Sequence, residues 1–511
     1  MRDMQGQHVL VLGLGHSGLA MARWCARAGA QVTVADTRAA PPGLEALRTE
    51  LPQARFITGE MHAALLDDAS LRAVYRSPGL PPARIAPVVE AARARGLVVS
   101  GELGLFTAAL HDLKQETGYC PALLAITGTN GKTTVTALTG QLVARSGTSV
   151  VVAGNIGPSL LDTLTERHAA QALPEVWVLE LSSFQLDGLG EGDVFEPTAA
   201  AVLNLTQDHL DWHGDMAAYA AAKARIFGAH GVMVLNRDDA AVLAMRPAAP
   251  AKLPKGSPKP EARTVVTFGA DMPEAPGDWG LEQVGGMAWL ARALEADETQ
   301  RRRKDAEVEL HIQRLMPADA LRIRGRHNAT NALAALALAS CAGCALGPML
   351  YGLREYRGEP HRVESIGLLG SVEYFDDSKG TNVGATVAAL QGLGAERRLV
   401  VILGGDGKGQ DFSPLAEPVS RFVRAVVLIG RDGPRIGEAL AHTGVPLWQA
   451  EDMDAAVTQA RAQAQAGDAV LLSPACASLD MYRDYAHRAD AFRVAVREQA
   501  LAQGSDLEVL A

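Results

Sequence analysis

The sequence predicts an α/β protein made of three doubly wound units in series, and three observations carry that expectation. A glycine turn joins a strand to a helix near residue 13. A second strand–glycine–helix junction stands at residues 122–138. A third series of apolar strands, each ending in a polar turn, begins near residue 359. Strands that alternate with helical stretches in this way build parallel sheets covered on both faces.

The first unit is expected over residues 1–110. "HVLVLGLGHSGLAMARWCARAGAQVTVADTR" reads strand, turn, helix, strand. Gly13-Leu14-Gly15-His16-Ser17-Gly18 fits G-x-G-x-x-G, and Asp36 ends the following strand. The helix N-terminus behind such a turn presents free N–H groups that favour a phosphate. By motif rules alone this Rossmann-like unit would take a nicotinamide dinucleotide. Ser77-Pro78-Gly79 marks a further turn.

The second unit is expected over residues 111–358. Its strands are "ALLAIT", "SVVVAG", "VWVLEL", "AAAVLNL" and "GVMVLN". The junction "ALLAITGTNGKTTVTAL" is P-loop-like but departs from G-x-x-x-x-G-K-[ST], because the first glycine of that pattern would fall on Ile126. Gly128, Asn130 and Gly131 still let backbone amides approach an anion, with Lys132 to neutralise phosphate charge and Thr133 to ligate magnesium. Glu180 ends a buried strand, where a metal-binding carboxylate stands in such sheets. Asp208, His209 and Asp211 follow another strand end and suit a metal or a phosphate. Lys223, in "YAAAKARIF", reads from its neighbours as a surface lysine. Residues 245–315, rich in Pro, Gly, Ala and charge, read as a loop-rich or partly β insertion with flexible parts, and "QRRRKDAE" as solvated. Cys341 and Cys344 lie in an Ala/Leu-rich helix without a nearby His and read as core.

The third unit, residues 359–511, has strands "SVEYFDD", "LVVILGG", "AVVLIG" and "AVLLSP". Asp377, Lys379, Thr381 and Asn382 share the turn after the first of these. Gly404, Gly405, Asp406 and Lys408 follow the second, and Ser473 and Ser478 follow the last. Ligands of doubly wound sheets bind at these carboxyl ends, so three polar turns on one edge predict a binding face. Cys476 has no matching base and reads as packing.

Bulk properties limit the classes. The 511 residues exceed one core and suggest two to four domains. Apolar content of 48% and charged content of 21% suit a globular chain. The net charge of −10 argues against a general nucleic-acid binder, and an anionic substrate would need local positive groups. Five cysteines make no disulfide framework. No signal segment or bilayer-length apolar run is found, so a cytoplasmic protein without membrane insertion is expected.

"AITGTNGKTTVTAL", "GNIG", "LELSSFQL", "TQDHLDWH", "AAKARIF", "GRHNATNALAALALA", "EPHRVE", "DDSKGTNVGAT", "LGGDGKG" and "SPACASLD" follow one another in the order of the Mur ligases, which the chain resembles over nearly all its length outside the insertion. The resemblance implies a UDP-substrate-binding first domain, a central ATPase domain and a C-terminal domain for amino acid and ATP. It implies ATP-dependent amide ligation in peptidoglycan precursor synthesis. UDP-N-acetylmuramoyl-L-alanine would become an acyl phosphate, and D-glutamate would attack it.

The resemblance also implies the sites. Gly128, Thr129, Asn130, Gly131, Lys132, Thr133 and Thr134 would cradle ATP, with Asn328 and Asn331 at the adenine and Arg362 and Asp377 reaching in from the third domain. Thr133, Glu180, His209 and Lys223, the last as a carbamate, would hold two magnesium ions. Ser17, Asp36, Thr37, Arg38, Ser77, Gly79 and Asn155 would contact the UDP substrate. Lys379, Thr381, Lys408, Ser478 and Tyr485 would hold D-glutamate. Lys132, Glu180, His209, Lys223 and Lys408 would be the catalytic set. Tyr485 stands where the family pattern has Phe, and Gln207 where an acidic residue is common. The expected partners are these small molecules alone, bound by a monomer whose third domain closes over ATP.

Rival readings differ in testable ways. Folylpolyglutamate synthase shares the amide-ligating loop but lacks the first domain. Other Mur ligases differ in acceptor, and this chain has no D-N-P-R stretch. A nicotinamide oxidoreductase built on residues 1–110 would leave residues 128–133 unexplained.

Overall fold

The computed structural model describes residues 4–247, 263–296 and 309–508, with Asp211 described for its backbone alone. Three sheets follow one another along the chain. The first holds β1 (His8–Leu12), β2 (Gln31–Asp36), β3 (Arg55–Thr58), β4 (Leu71–Arg76) and β5 (Val98–Ser100), all parallel, in the order β3-β2-β1-β4-β5. The order reverses between β1 and β4, so the crevice over these two carboxyl ends is the place for a ligand.

The second sheet contains β6 (Ala122–Thr127), β7 (Val150–Gly154), β8 (Val176–Glu180), β9 (Ala199–Val202), β10 (Val232–Asn236), β11 (Val265–Phe268), β12 (Trp279–Val284), β13 (Met287–Glu295) and β14 (Leu310–Pro317). Their order is β14-β13-β12-β11-β10-β9-β6-β8-β7. β6 lies between β8 and β9, which puts the glycine loop after β6 beside the ends carrying Glu180 and Asn204. β8 is buried at every position, as a strand covered by helices on both faces must be. The alanine-rich helix Arg326–Cys341 packs against the helix Lys132–Arg145 over this sheet.

The described part of the insertion takes the partly β form among those expected of it. It is ordered β-structure that widens the central sheet by β11 through β14, the last three forming antiparallel pairs. Gly285 and Gly286, at φ +58° and +83°, make the two-residue turn between β12 and β13. Two successive positive φ angles match the twist of a hairpin, and glycine takes them without a Cβ penalty. The period-2 alternation was too short to stand out among the flanking Pro and Gly. "QRRRKDAE" and most of 246–262 lie outside the described residues.

The third sheet holds β15 (Glu364–Leu369), β16 (Val372–Asp376), β17 (Leu399–Gly404), β18 (Val423–Ile429), β19 (Leu447–Gln449) and β20 (Ala469–Leu472). The order is β15-β16-β20-β17-β18-β19, parallel except for the edge pair β15–β16. Cys341 and Cys344 pack against the central core, and Cys476 is fully buried in the third. Burial pushes the Cys476 thiol up to about 12, which leaves it inert. Among the described residues no helix is long and apolar enough to cross a membrane.

Candidate active site

The loop after β6 is shaped by two glycines at positive φ, Gly128 at +155° and Gly131 at +81°. A Cβ on Gly131 would lie 2.9 Å from Asn331 Oδ1, so the loop and the helix Arg326–Cys341 meet at the closest approach glycine allows. Asn204, which the sequence reading passed over, fixes the loop from β9. Its carbonyl accepts the Thr129 N–H at 2.9 Å and its Oδ1 accepts the Asn130 N–H at 2.8 Å. Its position at the end of the strand neighbouring β6 was the available signal.

Lys132 opens the helix behind the loop, and its ammonium donates to the carbonyls of Gly128 and Thr129 at 2.9 and 2.8 Å. Burial holds its pKa below the usual lysine range, with Glu180 opposing. The Thr133 hydroxyl accepts from the Arg362 guanidinium at 2.6 Å. Thr134 is buried beside them.

Lys223 corrects the surface reading, since it is 1% exposed. Its Nζ donates to Gly128 O at 2.9 Å and Thr127 Oγ1 at 3.3 Å, and lies 4.6 Å over the Tyr219 ring. Burial, then repulsion from Lys132, drives its pKa well below the lysine value. A neutral amine with a free lone pair is the form that can add carbon dioxide.

Glu180 is 1% exposed, and its Oε1 accepts from Asn155 Nδ2 at 3.0 Å. Its Oε2 is buried with no hydrogen-bond partner among the described residues. A buried carboxylate oxygen without a donor is satisfied by a cation, so the residues fit a divalent metal. Asn155 therefore stands beside Glu180 just past the end of β7. His209 sits at φ +54°, its ring edge-on to Phe184 at 4.6 Å and its Nε2 3.4 Å from Asp208 Oδ2. Burial lowers its pKa, Asp208 opposes, and the charges of Lys132, Lys408 and Lys223 lower it further. The imidazole is thus biased toward the neutral, ligating form.

A cavity of about 210 Å³ lies between the second and third units. Asn130, Gly131, Asn328, Asn331, Arg362 and Asp377 line it. Asn331 Nδ2 donates to Asn328 Oδ1 at 3.1 Å. His327, missed by the sequence reading, also lines the cavity. Its Nδ1 is buried without a partner among the described residues, and burial pushes its pKa down to about 4. Asp377 is buried and raised to about 7 by that burial, against the Ser473 hydroxyl and Arg362. Lys379 is lowered to about 8 by burial and Arg362, and lies 5.1 Å over the Tyr485 ring.

Thr381 is half-buried, Ser478 buried and Lys408 exposed, the last at φ +49° with its N–H on Asp406 Oδ1 at 3.0 Å. The fully buried Arg488 stitches two of the binding turns, donating to Ser378 O at 2.7 Å and Cys476 O at 3.0 Å. His361, Glu364 and Asp376 also gather, but Arg493 donates to both carboxylates, so this cluster is an ion-pair network.

In the first unit Gly18 is required by contact, because a Cβ there would lie 1.9 Å from Gly13 O. Asp36 is fully buried and its oxygens are filled. Oδ2 accepts from Leu14 N–H at 2.7 Å, and Arg38 donates to both oxygens at 2.9 and 2.8 Å. Its carboxylate holds the glycine turn and Arg38 in place, and those contacts hold its pKa low despite burial. Ser17 bonds to buried Glu102, a residue the sequence reading missed. Thr37, Ser77 and Gly79 stand with them at the carboxyl ends of β2 and β4.

The comparisons with known proteins agree along the whole chain. The Mur ligase MurD-like N-terminal domain matches residues 7–101, the Mur ligase middle domain 126–339 and the Mur ligase glutamate ligase domain 361–476. The chain belongs to the Mur ligase family. It is 66% identical over 508 residues to UDP-N-acetylmuramoylalanine–D-glutamate ligase of Albidiferax ferrireducens, covering 99% of each chain. It is 57% identical over 516 residues to the ligase of the same name in Burkholderia mallei, again covering 99% of each. Among solved structures, UDP-N-acetylmuramate–alanine ligase of Thermotoga maritima matches at TM-score 0.53 and 19% identity, covering 96% of this chain and 99% of that one. MurF of Acinetobacter baumannii matches at TM-score 0.53 and 19% identity, covering 74% and 79%. These two support the three-domain fold.

Proposed function

We propose that the loop at 128–134, the Glu180–His209–Lys223 cluster and the facing turns of the third unit form one ligation site. The chain is an ATP- and magnesium-using ligase that adds D-glutamate to UDP-N-acetylmuramoyl-L-alanine in peptidoglycan precursor synthesis. One observation carries the residue-level reading. Lys132 and Lys223 converge on the same Gly128 carbonyl, with Glu180 close enough for its charge to act on both.

A free carboxylate is a poor electrophile. An oxygen of the alanyl carboxylate attacks the γ-phosphorus of ATP and ADP leaves. The D-glutamate amine then attacks the acyl carbon, and the tetrahedral intermediate expels phosphate. The loop amides and Lys132 offset the negative charge on the transferred group, and Arg362 adds a second cation from the third unit. Thr133, Glu180, His209 and Lys223 as its carbamate would hold two magnesium ions, which when bound supply Lewis-acid neutralisation of phosphate oxygens. Carbamylation of the neutral amine gives a buried anion beside Lys132, an attraction where the protonated lysine would have met repulsion.

Asn328 and Asn331 contact the adenine, and Asp377 the nucleotide. Ser17, Thr37, Arg38, Ser77 and Gly79 bind the uridine diphosphate over the first sheet, with Asp36 as their brace, and Asn155 orients the reacting end. Lys379, Thr381, Lys408, Ser478 and Tyr485 hold D-glutamate, the lysines meeting its carboxylates. These roles divide the chain at 1–110, 111–358 and 359–511, in a cytoplasmic monomer.

The test is phosphate release from ATP against a panel of amino acids and UDP-sugars. Release is expected only with UDP-N-acetylmuramoyl-L-alanine and D-glutamate together. Turnover with L-glutamate or meso-diaminopimelate but not D-glutamate would sink the assignment.

A further inference from the structure

Asp377 and Ser473 leave neighbouring strands at the same level. β16 and β20 are parallel, and their register pairs Asp376 with Leu472, so the next residue on each lies side by side at the carboxyl ends. Ser473 is fully buried, with its Oγ 2.6 Å from Asp377 Oδ2 and 3.0 Å from Thr386 Oγ1. The Thr386 hydroxyl donates its single proton to the Ser473 carbonyl at 3.0 Å, which leaves its oxygen as an acceptor. The Ser473 proton therefore chooses between a carboxylate and a neutral oxygen. The shorter, charge-assisted bond wins. Gly380 makes room for the pair, since a Cβ there would lie 2.6 Å from Asp377 Oδ2 and 3.0 Å from Ser473 Oγ.

We infer that Ser473 is the positioning residue of Asp377, its hydroxyl fixing one carboxylate oxygen and keeping the group ionised at the nucleotide cavity. This rests on the reading that Asp377 serves ATP. The other groups that act on Asp377 are Arg362 and the Val363 N–H, which favour its charge, and Asp376, which opposes it. Burial outweighs these supports and leaves the carboxyl raised to about 7 with the hydroxyl bond in place, so loss of the hydroxyl removes a support where ionisation is only half complete at neutral pH. The sign follows: the carboxylate is present above that pH and lost below it.

The experiment is kcat/KM for ATP as a function of pH on the full chain with magnesium. Ser473→Ala is expected to move the acid limb upward by about one pH unit, roughly a tenfold loss at pH 6, with recovery to within about twofold above pH 9. Ser473→Cys, near-isosteric with a weaker donor, moves it the same way by less and serves if the alanine variant fails to fold. In an Asp377→Asn background Ser473→Ala causes no further movement. Equal loss at every pH in both Ser473 variants would assign Ser473 to packing and overturn the inference. An Asp377→Asn enzyme with unchanged kcat/KM for ATP would instead remove the underlying reading of Asp377.

Discussion

Asn382 joins the third unit to the glycine loop at Asn130, and its removal can be dissected. Its Nδ2 donates to Asn130 Oδ1 at 3.0 Å, and Asn130 Nδ2 donates back to Asn382 Oδ1 at 3.3 Å. The same Asn382 Oδ1 caps the helix Val383–Gly394 by accepting the Ala385 N–H at 2.9 Å. Asn382→Asp keeps the cap, since Asp caps as well as Asn, but turns one of the paired contacts into two facing acceptors. Each lost hydrogen bond is worth about 0.5–1.5 kcal/mol, and facing acceptors add to the loss. Closure of the third unit onto the loop then weakens by about 1–3 kcal/mol, roughly 5- to 150-fold in kcat/KM for ATP. Steady-state kinetics and thermal unfolding read the two effects separately. Asn382→Asp should lose activity at unchanged Tm. Asn382→Ala should lose the same activity and about 1 kcal/mol of stability from the cap. An Asn382→Asp enzyme within twofold of wild type would show that Asn382 serves the helix and not the closure.

Lys223 gives a second prediction: activity falls in carbonate-free buffer and returns with bicarbonate, while Lys223→Ala stays inactive in both. An amine at the ordinary lysine value is neutral in roughly 0.03% of molecules at pH 7, so an exposed lysine would not respond, and carbon-13 NMR with labelled bicarbonate reads the carbamate directly. Glu180→Gln should lower activity by about 100-fold or more and raise the magnesium requirement, because it removes the charge from the buried oxygen left free for a cation. An unchanged magnesium requirement would contradict that account. For Lys379, lowered to about 8, the cation is present below that pH and lost above it. The KM for D-glutamate should therefore rise as pH passes about 8, and a flat KM up to pH 9.5 would remove Lys379 from the acceptor site.

Much of the fold was legible because parallel strands buried on both faces are continuous apolar runs. The core strands β6, β8, β17 and β20 stood out for that reason, and the polar turns that follow them marked their carboxyl ends. The edge strands β15 and β19 and the hairpin β12–β13 were harder to see. Half-exposed strands carry weak alternation, and here they lie among glycines and prolines. Motif spacing located the glycine loop after β6 despite Ile126, since Gly128 and Gly131 supply its positive φ angles and no earlier glycine is needed.

What the sequence determined by itself was the order of elements, the loop and the residues that converge at strand ends, because these follow from local periodicity and turn chemistry. The tertiary structure decided the environments. Lys223 reads as a surface lysine until Tyr219 and the loop enclose it, and desolvation then makes its amine reactive. Asp36 reads as a ligand contact until Leu14 and Arg38 fill its oxygens. Glu102 carries no motif signal, and the strand-end positions of Asn204 and Ser473 do not reveal what they bond. Each acts through a partner far away in sequence, and only packing brings a donor within hydrogen-bond reach of its acceptor.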